Sequence, residues 1–214
     1  MKFKNAYNGV SKLFTAEVMM LLSTVALIVA GIVLAVAAAM QADAVAVGSM
    51  IALGIFGIAA LVLSVVAFVL NFVGLIQANK DEASFSVALI ATVVGIIATI
   101  LMGVFSANTL VSGLMDTFTK IASLATTLFV VQGIVKLANR LGNQKMIQKG
   151  HTIFYLILTV QIIGIVARFI AALFGGNAAL ALVAAVLAIT AQVINLVAYF
   201  IYLAYLGRAK KMLA

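Results

Sequence analysis

The chain of 214 residues contains no cysteine, no proline and no tryptophan, and only 8% of its residues are charged. The absence of cysteine excludes disulfides, thiolate metal sites and cysteine nucleophiles. The absence of tryptophan leaves tyrosine and phenylalanine as the aromatic anchors at a membrane–water interface. What remains is 66% hydrophobic, with a mean hydropathy of +1.32. These values lie far outside the range of water-soluble domains.

Six apolar stretches account for nearly the whole chain, and each is close to the ~20 residues needed to cross a hydrocarbon core of about 30 Å. We therefore predict an all-α protein, a polytopic membrane bundle of six transmembrane helices that forms a single domain over residues 1–214. The predicted spans are about 18–40, 50–76, 85–107, 118–138, 152–174 and 178–206. Turn residues separate them at 41–43, 79–81, 112–113, 142–143 and 175–177.

The start of the chain also has features of a secretion signal. Lys2 and Lys4 precede an apolar stretch, and Ala37-Ala38-Ala39 resembles a small-residue cleavage site. The apolar stretch is longer than the apolar region of such a signal. We therefore expect it to remain as the first transmembrane helix.

The positive charges predict the orientation of the helices. Of the 13 Lys and Arg residues, eleven lie at the two termini or around the connections after the second and fourth spans, and Lys120 and Arg168 are the exceptions. The positive-inside rule then places both termini in the cytoplasm, with the chain in a cell (inner) membrane. The net charge of +8 is thus a signal of orientation. We expect it to attract anionic lipid headgroups, not nucleic acid.

The odd-numbered spans share a short motif that indicates an internal repeat. The motif occurs as Ala30-Gly31-Ile32-Val33, Val94-Gly95-Ile96-Ile97 and Ile163-Gly164-Ile165-Val166. One interpretation is that the bundle consists of three repeated helical hairpins of about 65 residues each. The alternative is that unrelated membrane helices converged on similar composition.

Small residues follow a helical spacing of three and four along the second, third and sixth spans. Small side chains let helix backbones approach closely where lipid provides no hydrophobic drive for association. We expect these faces to contact protein and the Leu, Ile, Val and Phe faces to contact lipid. The face on the second span consists of Gly57, Ala60, Ser64, Ala67, Asn71, Gly74 and Ala78.

Arg168 is the one strongly polar residue that clearly lies inside a predicted span. One interpretation is that its side chain extends outward to the headgroups. The other is that it turns into the bundle beside Gln161, with Gln192 and Asn195 opposite, and forms a ligand-binding pocket open to the outer face. A buried guanidinium would need an anion there, which Asp43, Asp116 or an anionic ligand or lipid could provide.

Other polar residues have simpler interpretations. Glu17 is expected at the membrane interface, at the inner edge of the first span. Asn71 and Gln132 are expected to form hydrogen bonds between helices. The aromatic residues Tyr155, Tyr199, Tyr202 and Tyr205 are expected to form an aromatic belt at the inner interface. No His, Asp or Glu spacing predicts a metal or cofactor site.

Catalysis has no support in these patterns, because no carboxylate pair, His-activated nucleophile or phosphate-binding glycine loop is present. Proton-coupled transport is disfavoured, since no Asp or Glu is predicted well inside a span. The sequence favours a non-enzymatic structural or accessory protein that packs against other membrane subunits or a second copy. The alternative is a transport component or channel, which the absence of proline disfavours. Its size, six spans and inward termini resemble the substrate-capturing subunits of energy-coupling-factor vitamin importers, a likeness that implies docking through small-residue faces.

Overall fold

The computed structural model describes residues 3–40, 43–174 and 178–214, except the side chains of residues 37–40, 43–53, 109–110, 113, 165–174, 178–182, 184–185 and 188. These residues form six α-helices, each with a stretch long and apolar enough to cross a membrane, and the described ranges contain no strand. The predicted all-α membrane bundle of six helices is confirmed. The helices are α1 (Lys4–Met40), α2 (Asp43–Asn79), α3 (Ser84–Val104), α4 (Thr109–Arg140), α5 (Gln144–Phe174) and α6 (Ala178–Leu213).

Several helices extend beyond their predicted spans, and one predicted turn is wrong. Ser112 and Gly113 lie inside α4, and the turn that joins α3 to α4 occupies residues 105–108. Asn108 begins α4, because its side chain accepts a hydrogen bond from the Val111 amide at 3.2 Å and so satisfies an otherwise unpaired N–H. The turn predicted at residues 142–143 is present, and Gly142 adopts a φ of 69° there, as glycine often does after a helix.

The six helices form a closed ring. Each helix packs against its neighbours in sequence, and α1 also packs against α6. Contacts within the pairs α1–α2, α3–α4 and α5–α6 are more extensive than contacts between pairs. The ring therefore consists of three helical hairpins side by side. Whether these hairpins are sequence repeats stays a prediction.

One end of the ring carries most of the cations, and we call it the basic end. It is formed by the start of α1, the end of α6, and the turns at residues 80–83 and 141–143. The opposite end is called the far end. The described cations at or near the basic end are Lys4, Lys12, Lys80, Lys136, Arg140, Lys145, Lys149, Arg208, Lys210 and Lys211.

The buried hydrophobic core lies at the basic end and includes residues from all six helices. In a regular ring of six helices spaced 8–10 Å apart, each axis lies about 8–10 Å from the centre. Only large side chains can fill that centre, and the basic end has them at helical spacing. The largest fully buried side chains include Leu75, Phe85, Ile134, Leu137, Tyr205 and Leu206.

Two of the three tyrosines on α6, Tyr202 and Tyr205, belong to this core. Tyr202 is 5% exposed and Tyr205 is 2% exposed, whereas Tyr155 on α5 is 64% exposed. The predicted interfacial belt is therefore wrong for Tyr202 and Tyr205. Tyr202 and Tyr205 are three residues apart on α6 and so lie on the same face of the helix. This face points toward the ring centre.

Helices α1 and α2 approach most closely at a pair of glycines. A Cβ atom on Gly9 would lie 2.5 Å from the carbonyl oxygen of Gly74, and one on Gly74 would lie 2.9 Å from that of Gly9. Farther along, the Ser23 hydroxyl lies 2.9 Å from the carbonyl oxygen of Ala60, to which it donates, and 2.8 Å from the Ser64 hydroxyl. These contacts fix the register of the two helices.

Acidic residues of the α2–α3 turn link three parts of the basic end. Glu82 is only 4% exposed, and its carboxylate lies 2.6 Å from Arg140 Nη2 and 3.6 Å from Lys136 Nζ, both on α4. The Asp81 carboxylate accepts hydrogen bonds from Asn5 Nδ2 at 3.1 Å and from the Ala6 amide at 2.7 Å, both on α1. The basic end is thus held by ion pairs as well as by apolar packing.

Candidate functional site

A cavity of about 1230 Å³ lies inside the ring, next to the basic-end core, and all six helices line it. Pockets that bind small molecules typically measure ≈ 300–1,000 Å³, so the volume is ample for a small solute. Along α3 the lining extends from Ala91 to Ile100, which corresponds to about 14 Å at 1.5 Å per residue. We call this space the central cavity.

The central cavity exists because the inward side chains become small beyond the core. Where the basic end presents Phe85 and Tyr205 to the ring centre, the cavity is lined by Ala67, Gly95 and Ala191. Side chains of this size cannot reach the centre of a six-helix ring. The space is thus a consequence of residue size at inward-facing positions.

The lining is rich in polar side chains. The threonines are largely satisfied within their own helices, as in the 2.9 Å hydrogen bond from the Thr92 hydroxyl to the Ala88 carbonyl. The amides of Asn71, Gln161, Gln192 and Asn195 have no hydrogen-bond partner among the residues that the structure describes. A polar group in an apolar surrounding costs about 2 kcal/mol or more without a partner. None of the four residues is fully buried, so their amides can form hydrogen bonds with water or a polar solute in the cavity.

The structure brings together three of the four residues predicted to bind a ligand. Gln161 on α5 and both Gln192 and Asn195 on α6 line the central cavity. Arg168 lies in α5, but its side chain is outside the described residues. A binding role for all four stays a prediction. Asp116, considered as an anion for Arg168, forms an ion pair with Lys120 on its own helix.

Glu17 on α1 also lines the central cavity, which the sequence did not indicate. The α1–α2 register shows how deep it lies: Gly9 opposes Gly74, and Ser23 opposes Ala60 and Ser64. Glu17 lies between Gly9 and Ser23, so it opposes α2 near Phe68, which also lines the cavity.

Phe68 precedes the last residue of α2, Asn79, by eleven residues, or about 16 Å along the helix axis. Glu17 therefore lies in the interior of the bundle, where it lines the central cavity. Helix α2 has 37 residues, about 55 Å by helical rise, and so extends beyond a hydrocarbon core of about 30 Å. The expectations that Glu17 lies at the membrane interface and that no Asp or Glu lies well inside a span therefore stay predictions.

Tyr199 on α6 holds the position of α1 beside Glu17. Its hydroxyl donates a hydrogen bond of 2.8 Å to the main-chain carbonyl of Glu17. This bond lies at the contact between α1 and α6 that closes the ring. The Glu17 carboxyl is half-buried, and no Lys, Arg or His among the described residues lies within ion-pair distance of it. The cavity therefore contains a carboxylate group without a cationic partner in this part of the chain.

Lys120 is the one cation on the described lining, and it is paired with Asp116. Within the described ranges, no three of His, Cys, Asp and Glu come together as metal ligands. The arrangement can hold a polar solute through amide, hydroxyl and carboxylate groups. It offers no nucleophile paired with a base in the part of the chain that the structure describes.

Comparison of the chain with protein-family models, with curated proteins and with solved structures found no match.

Proposed function

We propose that this multi-pass membrane protein is a non-enzymatic transport component whose central cavity holds a small polar solute. The observation that supports the proposal most directly is the cavity itself, which combines four unpartnered amides with Glu17 and is closed at the basic end by the hydrophobic core. An accessory protein that serves only to pack against other subunits needs no polar interior. The accessory role is the alternative that the experiment below distinguishes.

We also propose an orientation, because it determines how solute reaches the cavity. The cations of the basic end favour the cytoplasmic face of the cell membrane, where they would contact anionic headgroups. The core then closes the cavity toward the cytoplasm, and solute enters from the outer side. Other membrane subunits or a second copy can pack against the apolar outer faces of the ring.

The absence of cysteine makes the proposal testable by labelling single-cysteine variants in membrane vesicles. Ser123→Cys and Gln192→Cys introduce thiols into the cavity. Thr190→Cys is the matched control, because Thr190 lies two residues from Gln192 on α6, is exposed, and does not line the cavity. We expect a neutral hydrophilic methanethiosulfonate reagent to modify the two cavity thiols about tenfold faster than the control, since only the thiolate reacts and apolar surroundings suppress it.

Two results would contradict the proposal in different ways. If both cavity thiols react as slowly as Thr190→Cys, the interior excludes water and the accessory role is favoured. A second control, Lys80→Cys, should react with a membrane-impermeant reagent only from the cytoplasmic side. Reaction of Lys80→Cys from the outer side would show that the proposed orientation is wrong.

A further inference from the structure

The charge of the central cavity indicates which class of solute or coupling ion it holds. The described lining includes one acidic and one basic side chain, Glu17 and Lys120. Lys120 forms an ion pair with Asp116, one helical turn earlier on α4. Glu17 is not in an ion pair within the described ranges, so the lining there has an uncompensated negative charge when the carboxyl is ionised.

Glu17 faces the interior of the bundle, because it lines the central cavity. It lies opposite Phe68, which is about 16 Å from the end of α2 by helical rise, and the core closes the basic end below it. Lys12, a described cation on the same helix, is five residues away, and residues five apart point to different sides of a helix. A carboxylate in such a place attracts a cation strongly, because the effective dielectric constant is below that of water.

The neighbours of Glu17 favour one class of cation. The aromatic rings of Tyr199, Tyr202 and Phe68 line the same space, and aromatic faces attract ammonium groups. The amide of Asn71 supplies a neutral oxygen. A single carboxylate with neutral oxygens and aromatic rings fits a charge of +1, whereas Ca²⁺ sites combine several oxygens, commonly with more than one carboxylate.

We propose that the part of the central cavity next to the core binds a monovalent cation, either an alkylammonium group or an alkali-metal ion, with Glu17 as its counter-charge. This proposal rests on the transport function proposed above and names the class of solute or coupling ion. It differs from the anion site that one of the two interpretations of Arg168 gives, which stays a prediction.

The first experiment measures the sign of the potential in the cavity. The Ser123→Cys variant is labelled with a cationic trimethylammonioethyl and an anionic sulfonatoethyl methanethiosulfonate, and each rate is divided by the rate for a free thiol in solution. We expect the cationic reagent to be favoured, and Glu17→Gln in the same background to lower the cation-to-anion ratio about fivefold, as loss of one nearby unit charge would. Glu17→Asp, which keeps the charge, should retain the ratio.

The second experiment measures binding and distinguishes the two kinds of cation. A neutral reagent labels the Ser123→Cys variant in the presence of tetramethylammonium chloride or sodium chloride, with N-methylglucamine chloride as the balancing salt. Slower labelling in tetramethylammonium indicates an ammonium site, and slower labelling in sodium indicates an alkali-metal site. Either protection should be lost in the Glu17→Gln variant.

The results separate this proposal from the proposed function. If the neutral reagent labels Ser123→Cys rapidly but neither cation slows it, or Glu17→Gln leaves the charge ratio unchanged, the cation site is wrong and the water-filled cavity stands. If the neutral reagent fails to label the cavity at all, the proposed transport function is wrong. Thermal unfolding in detergent checks that each variant is folded, and the Glu17→Asp variant covers the case in which Glu17→Gln does not fold.

Discussion

The basic end and the central cavity are built from the same six helices, yet they differ in what fills the centre of the ring. At the basic end the inward positions carry large apolar side chains such as Phe85 and Leu137, which are fully buried. At the cavity many inward positions carry Ala, Gly, Ser or Thr, and larger residues such as Phe68 and Tyr199 line it as well. The difference shows how one continuous helix can supply both a packed core and an open interior. Smaller and more polar side chains at many inward-facing positions distinguish the cavity from the core.

The two regions also differ in the surroundings of their glutamates. Glu82 at the basic end lies close to Arg140 and Lys136, whereas Glu17 in the cavity has no cationic partner among the described side chains. The carboxylates of Asp81 and Glu82 have partners within the protein, whereas four amides of the cavity have none among the described residues. Buried packing is therefore concentrated at the basic end, and unpartnered amides line the cavity. Each prediction below tests a part of this division.

The largest effect is expected where α1 and α2 are closest. Gly9→Leu places a side chain against the Gly74 carbonyl, which a Cβ atom alone would approach to 2.5 Å. Because backbone would have to move, we expect a loss of about 3 kcal/mol in stability, the upper end of typical overpacking costs. Thermal unfolding in detergent measures the loss.

The matched control for this change lies on α2 near the other end of the same helix pair. A Cβ atom on Gly57 would meet nothing within 4 Å, so Gly57→Leu should leave the unfolding temperature nearly unchanged. Equal destabilisation by Gly9→Leu and Gly57→Leu would show that the packing is not concentrated at the basic end.

Much of this fold is predictable from the sequence, because apolar length and cation position are local signals. The six helices follow from hydropathy, and Gln161, Gln192 and Asn195, which one interpretation of Arg168 grouped together, line one cavity. The turn between α3 and α4 was misplaced because Ser and Gly are tolerated inside membrane helices, and the N-cap Asn108 was the more informative residue. Helix boundaries inside long apolar chains depend on such single side chains.

The position of Glu17 could not be predicted from α1 alone. The start of α1 contains Lys4, Asn8 and Lys12, and this polarity indicated that the span began after Glu17. Its depth depends instead on the register with α2, which the Gly9–Gly74 approach sets. That contact joins residues far apart in sequence. The burial of Glu82 was not predicted for the same reason, because its partners lie on α4 and are far from it in sequence.

The next effect compares the two glutamates directly. Glu82→Gln removes the charge that pairs with Arg140 and Lys136 while its own amide stays buried. We expect a loss of about 1–2 kcal/mol, less than for a fully buried pair, because the side chains of both cations are 51% exposed and can reach water. Glu17→Gln removes a charge that has no cationic partner among the described residues and should be neutral or stabilising.

Thermal unfolding of the two variants side by side tests this comparison, with Asp116→Asn as a control for an exposed pair. Asp116 and Lys120 are each 45% exposed, and such pairs contribute about 0–1 kcal/mol. Destabilisation by Glu17→Gln as large as that by Glu82→Gln would mean that Glu17 has a structural partner. The cavity would then not be a region of unpaired charge.

The smallest effect is expected at Arg168, whose side chain lies outside the described residues. If Arg168 extends outward to the headgroups, Arg168→Lys should be almost silent, because a lysine stem reaches the headgroups equally well. If Arg168 binds an anion in the cavity with its planar guanidinium, Lys cannot reproduce the bidentate geometry and Gln cannot supply the charge. Since the described lining has Glu17 as its unpaired charge, we expect the silent result for Lys.

Native mass spectrometry of bound lipid or solute measures the outcome in the wild type, Arg168→Lys and Arg168→Gln. Equal retention in wild type and Arg168→Lys would place Arg168 outside the binding site and leave Glu17 as the charge that selects the solute. Loss of the bound species in both variants, with folding intact, would give the cavity an anion site. The solute would then carry a negative charge, and the difference between the basic end and the cavity would no longer rest on an unpaired glutamate.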